Sequence, residues 1–464
     1  MSTPADQPSL LPRPKGRVLP TLDDDGNRRW LRPRLSPGRF LTRRRAVGYA
    51  LMALFLALPH LTVAGKPAML LDIPARRFTL LGLTFTPTET PVLMLFLLAV
   101  FVGVFLLTAL FGRVWCGWGC PQTVWLELLF RPIERLFEGS PQEQRRRDRE
   151  GPDVRRVLKN VVFLLLAFVL GNTFLAYFVG AEQLGHWMRG SPAEHPTAFA
   201  VMALTTAAVF FDFAWFREQT CMVVCPYGRF QSVLLDRQSL VVGYDHARGE
   251  PRGKVGKAPP VGDCVDCQAC VITCPTGIDI RDGLQMECVH CTQCIDACDA
   301  IMDRLKRPRG LIRYSSQAEL AGEPRRLVRP RVLAYAAVVT GLVVALVAVV
   351  STRRPAEVTL LRTIGVPFVD RGERVEVHLR VKVHNRADAP RVYAITLAEP
   401  GLTLAPVAPL TLGPDEAATA VLTVLAPRER FAGGRATARV VVDDGQGFRQ
   451  ELTAPLVGPL GGGP

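Results

Sequence analysis

The sequence predicts a polytopic α-helical membrane protein with a cysteine-bound domain inserted before its last span and an all-β domain at its C-terminus. Three observations predict this. Five apolar runs are long enough to cross a bilayer; eight cysteines between Cys264 and Cys298 fall into two runs of identical spacing; and the last hundred or so residues alternate apolar with polar.

The cysteine stretch organises the chain. Cys264, Cys267, Cys270 and Cys274, followed by Pro275, repeat as Cys288, Cys291, Cys294 and Cys298. C-x2-C-x2-C-x3-C is the spacing with which bacterial ferredoxins hold cubane clusters: three thiolates wrap one cube and the fourth reaches across to the other. One [4Fe–4S] cluster is then expected on Cys264, Cys267, Cys270 and Cys298, and a second on Cys288, Cys291, Cys294 and Cys274. Zinc sites rarely use three cysteines in a row at this pitch. Disulfides do not suit a segment on the reducing side of a membrane. The second run ends Cys298-Asp299 rather than Cys-Pro, a departure in the turn and not in a ligand.

The chain has 464 residues, 48% of them hydrophobic, with a mean hydropathy of +0.18 and a net charge of +14. That length is enough for two or three domains. The positive charge lies in patches beside the apolar runs, so it reports topology and not nucleic-acid binding. All 12 cysteines fall between 116 and 298, unlike a disulfide-stapled secreted protein.

Residues 1–45 read as a disordered basic cytoplasmic tail. Residues 46–248 read as a four-span membrane domain, with runs at about Ala46–Gly65, Pro91–Gly112, Val161–Gly180 and Thr197–Phe216. Thr42-Arg43-Arg44-Arg45 also fits a twin-arginine export signal, which would leave the later spans unexplained. Pro59 inside the first run is expected to kink it. The ferredoxin domain takes 249–303, opening with a Pro/Gly/Lys linker at 249–262. A basic linker follows at 304–331, then a fifth span at 332–350. Residues 352–464 alternate in period two at Arg374–His384, Ala418–Leu425 and Arg435–Val442, which predicts an antiparallel, immunoglobulin-like sandwich. His384 there reads as a strand residue and not a ligand.

Lysine and arginine crowd the N-terminal tail, the 113–160 loop and the 217–331 segment, and are sparse at 66–90 and 181–196. The positive-inside rule then places the protein in a bacterial inner membrane, multi-pass, with the ferredoxin domain cytoplasmic and the C-terminal domain periplasmic.

A second repeat follows the second and fourth runs: Cys116-x3-Cys120-Pro121 and Cys221-x3-Cys225-Pro226. On a continuous helix, cysteines four apart share one face, about 5–6 Å between Cβ atoms. Thiolates so placed select copper(I), zinc or iron–sulfur centres, and the distance also permits a disulfide. Buried cysteines can equally pack as small hydrophobes, but two matching pairs favour function. His60, Asn172 and Asp212 are polar residues within spans, His60 being a further candidate ligand. Met222, inside the second pair, offers a soft thioether ligand, but core packing is the favoured reading.

GRVWCGWGCPQTVWLE, the CMVVCPYG pair and CVDCQACVITCPTGIDIRDGLQMECVHCTQCIDACDAIM, with a fifth span and an outer β-domain, resemble the cytochrome c oxidase accessory proteins CcoG, FixG and RdxA. The paired motif is also similar to the polyferredoxin subunits of nitrate and nitrous oxide respiration, the NapH- and NosR-like proteins. The resemblance implies a copper-handling redox step, reduction of copper(II) to copper(I), in biogenesis of the cbb-type oxidase. Its implied partners are oxidase assembly factors or copper chaperones, an unidentified electron donor and membrane lipid, with a homodimer left open. Cys116, Cys120, Cys221 and Cys225 would then bind copper or relay the electron. Two other readings stand beside it: a quinol-linked electron-transfer subunit and a non-catalytic assembly scaffold. No flavin or dinucleotide fingerprint and no C-x-x-C-H haem site is present.

Overall fold

A computed structural model describes residues 20–459, apart from 23–26, 64, 75–76, 86–89, 152, 255–261, 353, 362–365, 367, 388 and 415. Five long helices run in chain order: α1 (Arg39–Ala57), α2 (Thr90–Phe111), α3 (Val154–Val179), α4 (Pro196–Phe211) and α5 (Pro330–Ser351). Among the described residues four stretches are long and apolar enough to cross a membrane: 91–111, 154–179, 196–216 and 330–351.

The expected first span is corrected at both ends. α1 begins at Arg39, so Arg43, Arg44 and Arg45 lie within it, and they lower its apolarity below that of the other four. It stops at Ala57, and Leu58–His60 form a short 3-10 turn followed by the strand pair 62–63 and 66–67. Pro59 therefore ends the helix and does not kink it, because proline offers no N–H to a further turn. α1 still reaches far: 19 residues make roughly 28 Å at 1.5 Å each. Its start abuts Asp296 of the ferredoxin unit, and near its far end the Tyr177 hydroxyl of α3 donates to the Phe55 carbonyl at 2.7 Å.

The expected disorder of residues 1–45 does not extend to its second half. Residues 1–19 and 23–26 lie outside the described residues. Leu31 and Arg32 are buried, and Arg32 pairs with Glu134 and, at 2.9 Å, with Asp148. Ser36 N–H donates to Gln293 at 3.1 Å.

The ferredoxin unit is wider than its cysteines. Strands Val241–Tyr244 and Ile312–Ser315 pair antiparallel and bracket it, which moves its borders beyond 249–303. Residues 255–261 of the expected linker at 249–262 lie outside the described residues. The basic stretch at 304–331 is more than a linker: Arg325 and Arg329 donate to the Leu110 and Ala109 carbonyls at the end of α2. Guanidinium groups there meet both the orphan carbonyls and the negative end of the helix dipole.

Residues 347–464 form a separate compact unit. One sheet orders strands 403–404, 417–427, 374–385 and 356–361, with 368–370 also on 374–385; the other orders 410–412, 391–397, 435–443 and 449–457. Val375, Val377, Leu379, Val381 and Val383 alternate into the core while their neighbours face outward, the expected period-two pattern. His384 takes an outward, half-buried position on this strand.

Candidate functional site

The two cysteine runs fold as a backbone repeat. Asp266 and Gln268 flank Cys267 with positive φ of 50° and 58°; His290 and Thr292 flank Cys291 with 52° and 63°. Left-handed backbone is unfavourable for non-glycine residues by about 1–2 kcal/mol each. The loop accepts it twice, at positions 24 residues apart, to curl each run around a point. A helix starts directly after each curl, Ala269–Ile272 and Gln293–Arg304.

Each curl lines a cavity. One is walled by Cys264, Cys267, Cys270 and Cys298 with Tyr244, Met302, Leu311 and Ile312. The other is walled by Cys274, Cys288, Cys291 and Cys294 with Val242, Ile278 and Ile280, Cys270 lying at the partition. The fourth cysteine of each run thus lines the other run's cavity. Burial pushes the free thiols of Cys270, Cys288, Cys291 and Cys298 up to about 12. A bound iron centre reverses this by deprotonating its thiols outright. Among the described residues no three His, Cys, Asp or Glu side chains converge closely enough for a single metal ion. A zinc bonded to sulfur at about 2.3 Å would need sulfurs roughly 4 Å apart. Dry, wider sulfur-lined cavities fit a cube better than an ion.

The paired membrane motifs differ from the continuous helix assumed above. Cys116 lies in the short helix Val114–Trp118, which ends at Gly119. Cys120 is extended (φ −64°, ψ 125°), and Pro121 opens a new helix. Cys221 lies in a π-turn, Thr220–Val224; Cys225 is extended (φ −65°, ψ 110°), and Pro226 opens the helix to Leu234. The two motifs share one geometry: first cysteine in a closing turn, second cysteine capping the next helix. Proline fits there because the first helical N–H has no partner to lose.

The two motifs interlock. The Cys116 thiol meets Gln231, on the helix that follows Cys225, at 3.5–3.6 Å. Gln122, just after Cys120, donates to the Arg217 carbonyl at 2.9 Å, just before Cys221. All four thiols lie within electrostatic reach of one another. Burial, with the Cys120 thiol beside it, pushes Cys116 up to about 11. Burial also raises Cys120, and the N–H groups of Thr123 and Gln122 pull it back down. Cys221 is raised by burial and by the three other thiols.

The quartet abuts the second ferredoxin cavity. Gly117 approaches so closely that an added Cβ would lie 2.4 Å from the His290 carbonyl oxygen. Arg113 donates to the Met286 carbonyl on one side and to the Gly228 carbonyl, at 2.8 Å, on the other. Arg44 of α1 donates to the Gly117 carbonyl at 2.6 Å and reaches the Cys291 carbonyl at 3.4 Å. Burial, with the Arg113 charge behind it, holds the His290 imidazole down to about 3, so it is neutral.

Of the remaining candidates, His60 is exposed at the far end of α1, away from the thiols. Asn172 donates to the Phe168 carbonyl of its own helix at 2.9 Å. Asp212 accepts from the Thr220 hydroxyl, bracing the turn before Cys221. Met222 is buried, as expected. Sequence reasoning missed Arg44, Arg113 and Asp296, which join the units. Asp296 accepts from the Phe40 and Leu41 N–H groups at 3.1 and 2.8 Å, capping α1 from another element where Gly38 has no side chain to do so. Arginines inside or beside an apolar run, in excess of what topology needs, were the available signal.

Residues 216–317 match the family described as a 4Fe-4S dicluster domain, and residues 93–139 match a 4Fe-4S binding domain. Residues 346–459 match the IG-like fold at the C-terminus of FixG. The chain is 39% identical to protein RdxA of Cereibacter sphaeroides over 69% of its own length and 72% of RdxA. It is 38% identical to nitrogen fixation protein FixG of Rhizobium meliloti over 63% of its length and 58% of FixG. With protein RdxB of Cereibacter sphaeroides the identity is 35%, over 71% and 72%.

Proposed function

The chain belongs to the FixG/RdxA family of iron–sulfur electron-transfer proteins, and from that premise we propose that it reduces copper(II) to copper(I) for biogenesis of a cbb-type cytochrome oxidase. In this reading Cys264, Cys267, Cys270 and Cys298 hold one cube, and Cys274, Cys288, Cys291 and Cys294 the other. Such cubes supply one-electron transfer. This chain's residues do the rest. Apolar walls exclude water from the cavities. Arg113 and Arg44 lock the second cavity against the membrane motifs. Cys116, Cys120, Cys221 and Cys225 pass the electron on to copper(II). Thiolates favour the reduced ion.

The observation that carries this reading is the interlocking of the two thiol motifs beside the second cavity: Cys116 on Gln231, Gln122 on the Arg217 carbonyl, and Gly117 against the His290 carbonyl. The test is copper reduction by purified, dithionite-reduced protein freed of excess reductant, followed with a copper(I)-specific chelating dye. One copper(I) should form per stored electron. The fourfold Cys→Ser variant of the membrane motifs should slow this at least tenfold while the ferredoxin spectrum stays. An unchanged rate sinks the assignment of these thiols.

A quinol-linked reading finds support in a cavity between α3 and α4, lined by Phe168, Asn172, Trp187, His195, Met188 and Met202. Apolar walls with a few convergent polar groups suit a small ring-bearing ligand. Cluster reduction by a short-chain quinol, with copper omitted, would favour it over the copper reading.

A further inference from the structure

We propose that Cys116, Cys120, Cys221 and Cys225 together hold a third [4Fe–4S] cube, next in line to the one on Cys274, Cys288, Cys291 and Cys294. The inference rests on the iron–sulfur reading above and specifies how the quartet relays an electron.

The first ground is a mismatch of count. The stretch 93–139 matches a 4Fe-4S binding domain, yet it contains only two cysteines, Cys116 and Cys120. A cube needs four thiolates. The stretch 216–317 holds ten cysteines, two more than its two clusters use. The surplus pair is Cys221 and Cys225. Each segment alone is incomplete, and together they supply one full set.

The second ground is geometry. The fold brings these two pairs together, and does so reciprocally. Cys116 packs on the helix that Cys225 caps, through Gln231. The segment after Cys120 packs on the segment before Cys221, through Gln122 and the Arg217 carbonyl. The two capping cysteines have nearly the same backbone angles, φ −64° and −65°, ψ 125° and 110°. This pairing of two segments resembles the ferredoxin unit, where each run lends a ligand to the other's cavity. No three of the four thiols converge on a single-ion site, which the ferredoxin quartets share. A lone copper or zinc ion would need them drawn in.

The third ground is the setting. Met222, in the turn that carries Cys221, is buried, while Trp115, Val223, Val224 and Phe230, on the same segments as the four cysteines, expose apolar surface. Arg113, one turn before Cys116, ties the quartet to both the second cavity and Gly228. A cube here would accept one electron from its neighbour, which is oxidised by the same one electron, with no proton or bond exchanged.

The experiment is iron and acid-labile sulfide analysis of full-length protein prepared and reconstituted anaerobically, with Mössbauer spectra and copper analysis. The expected result is about twelve iron and twelve sulfide per chain, four to a cube. The Cys120→Ser/Cys225→Ser variant should lose one third of both and keep the ferredoxin EPR signals. Eight iron in the unaltered chain, with copper or with nothing on the quartet, overturns the proposal, and this count does not depend on the variant folding. Addition of copper(II) to the same reduced sample separates the two readings. Twelve iron without copper reduction leaves the third cube standing and removes the copper function. Eight iron with full copper reduction does the reverse.

Discussion

Gly117 shows how one missing side chain joins two units. His290 and Val289 carbonyl oxygens would lie 2.4 and 2.7 Å from a Cβ at this position, so even alanine must push the membrane motif off the ferredoxin loop. In Gly117→Ala, stopped-flow reoxidation of the reduced ferredoxin cubes by copper(II) should slow at least tenfold while iron content holds; an unchanged rate would show that the electron leaves elsewhere. Glu134 makes the same point for charge. Burial pushes this carboxyl up, but Arg217, Arg32 and Lys159 outweigh it and hold it well below the usual range. A depressed carboxylate stabilises the fold fully above the ordinary glutamate range, and that contribution falls away as pH drops from there towards the folded value. Glu134→Gln takes the carboxylate from the buried Arg217 guanidinium and one of two from Arg32, and should cost about 3–5 kcal/mol, read as a fall in the thermal midpoint of the detergent-solubilised protein at neutral pH. The twelve cysteines were legible because ligand spacing is local. Gly117, Arg44, Arg113 and Asp296 were not, because each acts on a partner far along the chain.

At the scale of the element, the errors share one cause: apolarity and proline were read with too little weight on how helices end. Leu58–Val63 is as apolar as the helix before it, so composition alone ran the first span onward to Gly65, whereas Pro59 and the following strand pair stop it. The same rule explains the motifs. Four-residue spacing suggested one helical face, but proline after the second cysteine starts a fresh helix and turns that cysteine into its cap. The strands were read well, because alternation of valine with charge needs no distant knowledge. What alternation did not reveal is Asn385, buried at the end of its strand. Its amide donates to the Ala389, Leu412 and Gly413 carbonyls, and its oxygen accepts from Tyr393 at 2.9 Å. Asn385→Ala leaves these groups unpaired in a dry core and should destabilise this domain by roughly 2–4 kcal/mol. Limited proteolysis of the full chain should then cut within 356–457 sooner, with cluster absorbance untouched; equal cutting would place the satisfaction of those carbonyls elsewhere.

For the whole molecule, sidedness follows from one helix more than from the total number of spans. The ferredoxin unit lies between α4 and α5, and the sandwich follows α5. Whether α1 crosses or not, the expectation that residues 264–298 and 352–464 face opposite sides of a membrane rests on α5 crossing it. α5 meets the requirement: 22 residues, a hydropathy of 2.6, and a start at Pro330 just after Arg325, Arg326 and Arg329. Arg325 and Arg329 are held on the α2 end, and Arg329 also on Asp236, so they cannot follow the chain through the bilayer without breaking these contacts. The crowding of basic residues in 217–331 predicts, by the positive-inside rule, a cytoplasmic ferredoxin unit. In spheroplasts, added protease should remove the sandwich and leave the ferredoxin segment whole; in inverted vesicles the pattern should reverse. Cleavage of both from one side would mean that α5 does not cross.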